Sequence, residues 1–211
     1  MAQQFTKRPG SDYLAAIDPR PRSQINYVIG LPHRVLIVLN DHHGIAAAFQ
    51  FLQRSKQLLV IARMQPDEVL DYPLPGRIPG RGALWARFGD GEHALIVVVA
   101  HLSLGPAARM RQLSFISELI GHHPNVVLMG DLNTPPGSVE LKMLYSRTAL
   151  EPPHESPATF PSWRLTRAID HILVSGSIEV ERRWALSHPV SDHLPVAATI
   201  RLPAVVRARN S

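Results

Sequence analysis

The hydrophobic positions of the chain fall into short runs that are separated by polar and turn-forming residues. Two of these runs, residues 94–100 (ALIVVVA) and 125–129 (NVVLM), are unbroken and rich in valine, which is typical of strands buried on both faces. Between them, residues 107–120 place apolar side chains near helical spacing, and Gly121 follows as a helix stop signal. The pattern predicts two neighbouring core strands connected by a helix.

Shorter patterns on either side of this unit predict further strands and a second helix. A Gly-Asp-Gly turn joins residues 84–88 to the first core strand, which is typical of a hairpin. A short helix is predicted over residues 138–144. The remaining apolar segments are interpreted as strands over 35–39, 58–61, 169–174, 177–185 and 196–202, with a helix over 45–52. The sheets are therefore predicted to be mixed rather than purely parallel.

Composition limits the kinds of protein that the chain can form. With 211 residues and 45% hydrophobic content, it can bury one substantial core, which favours a single domain over residues 1–211. It has no cysteine, so disulfides, thiolate metal sites and cysteine nucleophiles are excluded. The net charge of +5 favours contact with polyanions, although the arginines are scattered along the chain. No apolar segment approaches the roughly 20 residues of a transmembrane segment, so we expect a soluble, cytoplasmic protein.

Polar side chains directly follow the two predicted core strands, where open sheets usually form their sites. His101 follows the first core strand, and Asp131 and Asn133 follow the second. Gly130 permits a tight turn, and the two-residue spacing lets Asp131 and Asn133 enter one crevice as an acceptor and a donor. Asp131 alone would be more typical of a helix or turn cap. Their combination indicates a site.

A second polar group occurs late in the chain, in Asp170-His171 and in Ser191-Asp192-His193. Asp170 lies on a strand that is otherwise apolar, and a buried carboxylate without a partner would be costly. Strand alternation directs His171 to the opposite face, so we expect a structural role for it. Taken singly, Asp192 fits a turn former as well as a site residue, and His193 fits an ordinary loop histidine as well as a site residue. Asp170 is therefore the sharper indication of function.

Four segments occur in the order in which one protein family has them. They are IVVVAHLSL, VVLMGDLNTPPGS, TFPSW with RAIDHILVS, and PVSDHLPVAATI. This ordered set resembles the later motifs of the endonuclease/exonuclease/phosphatase superfamily over residues 68–203. The resemblance implies an α+β fold, an α/β sandwich of mixed β-sheets packed face to face with helices outside. It leaves residues 1–67 as a divergent or truncated part with missing or altered N-terminal strands.

The resemblance also implies a role for each matching residue. His193 would take a proton from the attacking water, while Asp170 would fix the imidazole tautomer and stabilise the imidazolium. Asp131 would orient the water or the phosphate. Asn133 and His101 would hydrogen-bond phosphoryl oxygens. The implied cofactor is Mg²⁺, with Mn²⁺ as an alternative.

The chain departs from this family near its start. The family's opening strand ends in an asparagine, and its next strand ends in a glutamate that is the principal Mg²⁺ ligand; no such glutamate is found here. One interpretation places Asn40, at the end of RVLIVLN, in the asparagine position, as a metal-site residue. The other aligns residues 11–16 with a helix after the missing glutamate. Independently of this, the resemblance implies that Asp192 assists the metal or the base. Because Mg²⁺ is usually held by one or two carboxylates, losing the glutamate should weaken its binding.

These observations leave three functions to be compared. The first is a divalent-metal-dependent phosphoesterase, a hydrolase acting on phosphodiesters or phosphomonoesters, with nucleic acid and phospholipid headgroups both open as substrates. The second is a non-catalytic truncated remnant that binds phosphate or nucleic acid without turnover. The third is a serine hydrolase using Ser191 or Ser103, which the lack of a GxSxG motif disfavours. The sequence sets no oligomeric state.

Overall fold

The computed structural model describes residues 34–40, 58–61, 66–76, 80–187, 191–204 and 206. For residues 34–40 and 58–61 it describes the backbone only. Within this part of the chain, the strands are β1 (Arg34–Asn40), β2 (Leu58–Ile61), β3 (Glu68–Pro73), β4 (Gly82–Phe88), β5 (Leu95–Ala100), β6 (Val126–Asp131), β7 (Asp170–Val174), β8 (Glu179–Ala185) and β9 (Val196–Arg201). The α-helices are α1 (Pro106–Ile120) and α2 (Val139–Arg147). The predicted helix over 45–52 and the segment 11–16 lie outside the described residues.

The described strands form two sheets. A five-stranded sheet has the order β3-β4-β5-β6-β7, in which β5 and β6 are parallel and the other neighbours are antiparallel. A four-stranded antiparallel sheet has the order β2-β1-β9-β8. The predicted mixture of parallel and antiparallel strands is confirmed.

Strand β5 shows how the layers are held together. All six of its residues are buried, and successive side chains point to opposite faces of the sheet. Its odd-numbered residues, from Leu95 to Val99, belong to a core that includes Val196 and Ala198 of the four-stranded sheet. Its even-numbered residues, from Ile96 to Ala100, belong to a second core that includes α1 and α2. The predicted sandwich of two facing sheets with helices outside is therefore confirmed.

The turns and helix ends agree with the local sequence signals. The hairpin between β4 and β5 has positive φ angles of 84° at Gly89 and 62° at Gly91, which glycine adopts at little cost. Helix α1 has a proline in its first turn and ends at Gly121, whose φ is 53°. Helix α2 begins after Ser138, whose hydroxyl accepts a hydrogen bond from the Leu141 N–H. These ends fix the loops that carry the polar residues.

The described strands of the N-terminal part, β1 and β2, belong to the four-stranded sheet. Strand β1 pairs with β9 from Arg34 opposite Arg201 to Leu39 opposite Val196, so residues of the segment predicted as divergent form a sheet with the C-terminal strand. The expectation of missing or altered N-terminal strands otherwise concerns residues outside the described part. Strand β3 is an edge strand that the sequence pattern did not predict. Among the described residues, no helix is both long enough and apolar enough to span a membrane.

Candidate active site

The centre of the candidate site is a pair of carboxylates on neighbouring strands. Asp131 ends β6 and Asp170 begins β7, and the antiparallel register places them directly opposite each other. By strand alternation, Asp131 shares a face with Met129, and Asp170 shares it with Ile172, on the side of the sheet that packs against β9. Like charges in this arrangement destabilise a sheet. The pair therefore requires compensation by cations or by protonation.

His193 supplies one of these cations. Its Nδ1 atom lies 2.8 Å from Oδ2 of Asp170, and the hydroxyl of Thr159 donates to the same oxygen at 2.5 Å. Burial lowers the pKa of His193, but its hydrogen bond to Asp170 and the nearby carboxylates outweigh this effect and raise the pKa to about 9. The predicted pairing of His193 with Asp170 is present, and Asp170 fixes the orientation of the ring.

Asp131 has a different set of neighbours. Its Oδ1 accepts the backbone N–H of Asn133 at 2.9 Å, and its Oδ2 lies 3.3 Å from Nε2 of His101. Burial raises the pKa of Asp131 to about 7, with a further contribution from the charge of Asp170. The Asn133 N–H and the charges of His193 and Arg81 act in the opposite direction. His101 and Asp131, which follow and end the two neighbouring core strands, thus lie close together, as their positions in the sequence predicted.

Asn133 holds the ends of the two core strands together. Its backbone adopts a left-handed conformation with φ of 51°, which asparagine tolerates better than most residues. Its side-chain Nδ2 donates to the carbonyl of Leu102 at 2.9 Å and lies 3.3 Å from Oδ2 of Asp131. In this arrangement the amide nitrogen positions Asp131. The contact with a phosphoryl oxygen that the resemblance implies for Asn133 stays a prediction.

Asp192 and Asn40 are the two residues predicted to assist a metal. The side chain of Asp192 is exposed, and its backbone carbonyl accepts the N–H of Ser162 at 2.8 Å. Asn40 ends β1 one position beyond Leu39, which pairs with Val196, so its backbone lies toward the segment that carries His193. The side chain of Asn40 is outside the described residues. Both metal roles stay predictions.

His171 lies on the opposite face of β7 from the site. It is 2% exposed, and its Nε2 atom lies 2.8 Å from the carbonyl oxygen of Thr134. Burial lowers its pKa, so the imidazole is stabilised in the neutral form. This position agrees with the structural role that strand alternation predicted.

The structure adds three residues to the site that sequence reasoning did not single out. Arg81 is partly buried, and burial lowers its pKa, whereas the charge of Asp131 acts in the opposite direction, so the two side chains interact electrostatically. Thr159 contacts Asp170, and the ring of Phe160 lies with its centroid 4.7 Å from that of His193. The segment TFPSW was recognised as a motif, so Thr159 and Phe160 had a signal. Arg81 had none, because it reaches the site only through strand pairing.

The donor atoms of the cluster suit a divalent cation in part. One ligand atom each from Asp131, Asp170 and His193 lie within 4.8 Å of one another. Carboxylate oxygens are the protein ligands that Mg²⁺ prefers, and the repulsion between two facing carboxylates would be relieved by a cation. The Nδ1 atom of His193 is already engaged by Asp170. The two aspartates are therefore the better candidates for metal ligands.

The serine hydrolase alternative finds no support in the geometry. The Ser191 hydroxyl accepts the backbone N–H of His193 and donates to its carbonyl. The Ser103 hydroxyl accepts from Nε2 of Gln112 at 3.0 Å. In the described part of the chain, neither hydroxyl is hydrogen-bonded to the ring of His193. Neither serine is thus placed as a nucleophile with His193 as its base.

Comparisons with known proteins agree with this arrangement. The model of the Endonuclease/Exonuclease/phosphatase family matches residues 17–193. No curated protein matches the chain significantly in sequence. Similar solved structures include an endonuclease/exonuclease/phosphatase family protein from Bacteroides thetaiotaomicron, at 17% identity and a TM-score of 0.55, covering 82% of this chain and 76% of that chain.

Two other similar structures come from proteins whose names state an activity or a bound molecule. Mannosyl-6-phosphatase from Bacteroides thetaiotaomicron has 18% identity and a TM-score of 0.53, covering 81% of this chain and 78% of that chain. TDP2 from D. rerio, complexed with a single-strand DNA product, has 15% identity and a TM-score of 0.54, covering 66% of this chain and 69% of that chain. At these identities, the similarity shows a shared fold.

Proposed function

Because the chain belongs to the endonuclease/exonuclease/phosphatase family, we propose that it hydrolyses phosphate esters at the site formed by Asp131, Asp170 and His193. The observation that carries this proposal is the convergence of these three side chains, whose ligand atoms lie within 4.8 Å of one another. A pair of facing carboxylates, one buried and one partly buried, has no structural benefit of its own. Its presence beside a histidine of raised pKa is typical of a catalytic site.

The reaction is an attack of water on phosphorus with departure of the ester oxygen. Asp170 and the other nearby carboxylates raise the pKa of His193 to about 9, so its neutral form is a minor fraction near pH 7 that grows as the pH rises. This neutral form takes the proton of the attacking water, and Asp170 stabilises the resulting imidazolium through Nδ1. His101, whose Nε2 lies 3.3 Å from Oδ2 of Asp131, and Arg81, which interacts electrostatically with the same carboxylate, are the residues we propose to hydrogen-bond phosphoryl oxygens. Asp131 orients the water or the phosphate. The Thr159 hydroxyl holds Asp170 in place for the pairing.

A divalent cation completes the proposal, with Mg²⁺ preferred and Mn²⁺ as an alternative. Asp131 and Asp170 would hold it, and when bound it would neutralise the charge on the phosphoryl oxygens. Because the glutamate of the family's second strand is missing, the two aspartates would hold the ion without this further carboxylate, which implies a weaker affinity. We therefore expect hydrolysis to require a high Mg²⁺ concentration.

The chemical nature of the ester is left broad by this site. Similar structures include a mannosyl-6-phosphatase and a protein bound to a DNA product, so the shared fold accommodates sugar phosphates and nucleic acids. The site itself recognises the phosphoryl group. Phosphomonoesters and phosphodiesters both fit this description.

The test is hydrolysis of bis-p-nitrophenyl phosphate and of plasmid DNA with Mg²⁺, with Mn²⁺ and with a chelator. We expect metal-dependent hydrolysis that falls about 100- to 10,000-fold in kcat/KM in His193→Ala, because a general base is lost. Asp131→Asn should also lower kcat/KM. His93→Ala is the matched control, since this exposed histidine precedes β5 at the end opposite to His101. Equal, metal-independent activity in all variants would contradict the proposal, and no activity in any would favour the non-catalytic remnant.

A further inference from the structure

Trp163 is the most exposed of the large hydrophobic residues that the structure describes. It is 76% exposed, whereas an indole ring normally contributes large buried area to a core or an interface. Its neighbours Arg164 and Leu165 are also exposed. On a loop that contacts the site, an exposed indole offers a large flat surface to a ligand.

The loop that carries Trp163 is attached directly to the catalytic histidine's segment. The N–H of Ser162 donates to the carbonyl of Asp192, and the Ser162 hydroxyl donates to the carbonyl of Ser191, both at 2.8 Å. On the same loop, the ring of Phe160 packs on that of His193. Trp163 directly follows Ser162, about 3.8 Å further along the chain between Cα atoms. The indole is therefore held at the edge of the site.

We propose that Trp163 is a stacking surface for a planar nucleobase adjacent to the phosphate that is cleaved, and that the substrate contains an unpaired nucleotide. This inference rests on the proposed function and narrows its substrate class. Base–aromatic stacking tolerates every base, because each base has a π face. In a paired duplex both faces of a base are covered by its neighbours. An unpaired nucleotide is the form that leaves one face available to the indole.

The charge distribution around the loop favours the same substrate. The exposed guanidinium of Arg164 follows Trp163 directly, and the chain carries a net charge of +5, so further phosphates of a polyanion would be attracted. The hydrogen bonds of the loop to Ser191 and Asp192 hold Trp163 at a fixed distance from His193. A fixed distance suits a nucleotide, because its base and its phosphate are separated by a set length. A tryptophan that only anchored the protein to a lipid surface would not need this attachment.

The kinetic test compares two phosphodiesters that share p-nitrophenolate as leaving group, thymidine 5′-(p-nitrophenyl phosphate) and methyl p-nitrophenyl phosphate. The ratio of their kcat/KM values measures preference for the base. We expect Trp163→Ala to lower this ratio by about 5- to 100-fold, the range implied by one stacked base. Leu165→Ala, which removes an exposed aliphatic side chain from the same loop, is the matched control and should preserve the ratio. An unchanged ratio in Trp163→Ala overturns the inference.

A binding test in chelator separates this inference from the proposed reaction. Titration with a short single-stranded oligothymidylate should quench tryptophan fluorescence in the unsubstituted chain and much less in Trp163→Leu, which keeps only Trp85 and Trp184. Equal affinity for a duplex of the same length, or quenching that persists in Trp163→Leu, overturns the inference. The inference is also overturned if the oligonucleotide causes no quenching while phosphatidylglycerol vesicles shift the tryptophan emission to shorter wavelength. That result would assign Trp163 to a lipid surface. Quenching with no hydrolysis would leave the stacking surface standing and refute the phosphoesterase proposal.

Discussion

Among individual residues, the carboxylate of Asp170 makes the contacts on which the rest of the site depends. Its Oδ2 atom accepts from Thr159 and pairs with Nδ1 of His193, and Asp131 faces it across the strands. Removing its charge would remove the largest of the contributions that raise the pKa of His193, to which Asp131 and Asp192 also add. Asp170 thus sets the orientation of His193 and most of its basicity.

This dependence predicts a measurable change in the titration of His193. In the metal-free protein, NMR titration should give His193 a pKa above its ordinary value of 6.5, near 9. Asp170→Asn removes the charge that favours the imidazolium, so the pKa should fall toward or below 6.5. As a result, the protonated fraction at pH 7.5 should fall from nearly all to a minor part.

His171 is the internal control for this titration, because burial lowers its pKa on the other face of β7. Its resonances should show no gain of a proton near neutral pH in either form of the protein. A pKa of His193 that is the same with and without the Asp170 carboxylate would contradict the pairing.

The sequence predicted the site residues that follow strong strand patterns. Asp131 and Asn133 come directly after an apolar run, and Asp170 is a charged residue on an apolar strand, so the sequence singled out all three. Arg81 and Thr159 were not assigned roles, because their contacts depend on which strands and loops become neighbours. The facing of Asp131 and Asp170 is likewise set by strand register, which a single segment does not reveal.

At the scale of elements, the unit of β5, α1 and β6 was predictable and β3 was not. All residues of β5 and β6 are buried, which produces continuous apolar runs, and α1 has helical spacing between clear start and stop signals. Strand β3 lies at the sheet edge, and its residues are mostly exposed. An edge strand needs no apolar pattern, so its sequence, EVLDYP, resembles a loop.

The same difference predicts unequal effects on stability. Leu128→Ala in β6 removes a fully buried side chain and should lower the free energy of unfolding by about 2–5 kcal/mol. Leu70→Ala in β3 removes a side chain that is 38% exposed and should cost under about 1 kcal/mol. Urea denaturation of both variants measures the two values. Equal costs would contradict the placement of β6 in the core and β3 at the edge.

At the scale of the whole molecule, the site lies where the two sheets meet. Asp131 and Asp170 belong to the five-stranded sheet, whereas His193 precedes β9 of the four-stranded sheet. The catalytic pairing of Asp170 with His193 therefore joins the two layers, and it exists only while they are packed together. Hydrolysis should be lost as soon as this packing is lost.

The most direct test of the account is crystallographic, using crystals grown with Mn²⁺ and inorganic phosphate. We predict an anomalous peak within about 2.5 Å of carboxylate oxygens of Asp131 and Asp170. Phosphate should lie beside it, within hydrogen-bonding distance of His101 or Arg81. Crystals in which neither Mn²⁺ nor phosphate binds at these aspartates, or in which both bind elsewhere on the molecule, would contradict the assignment of this cluster as the active site.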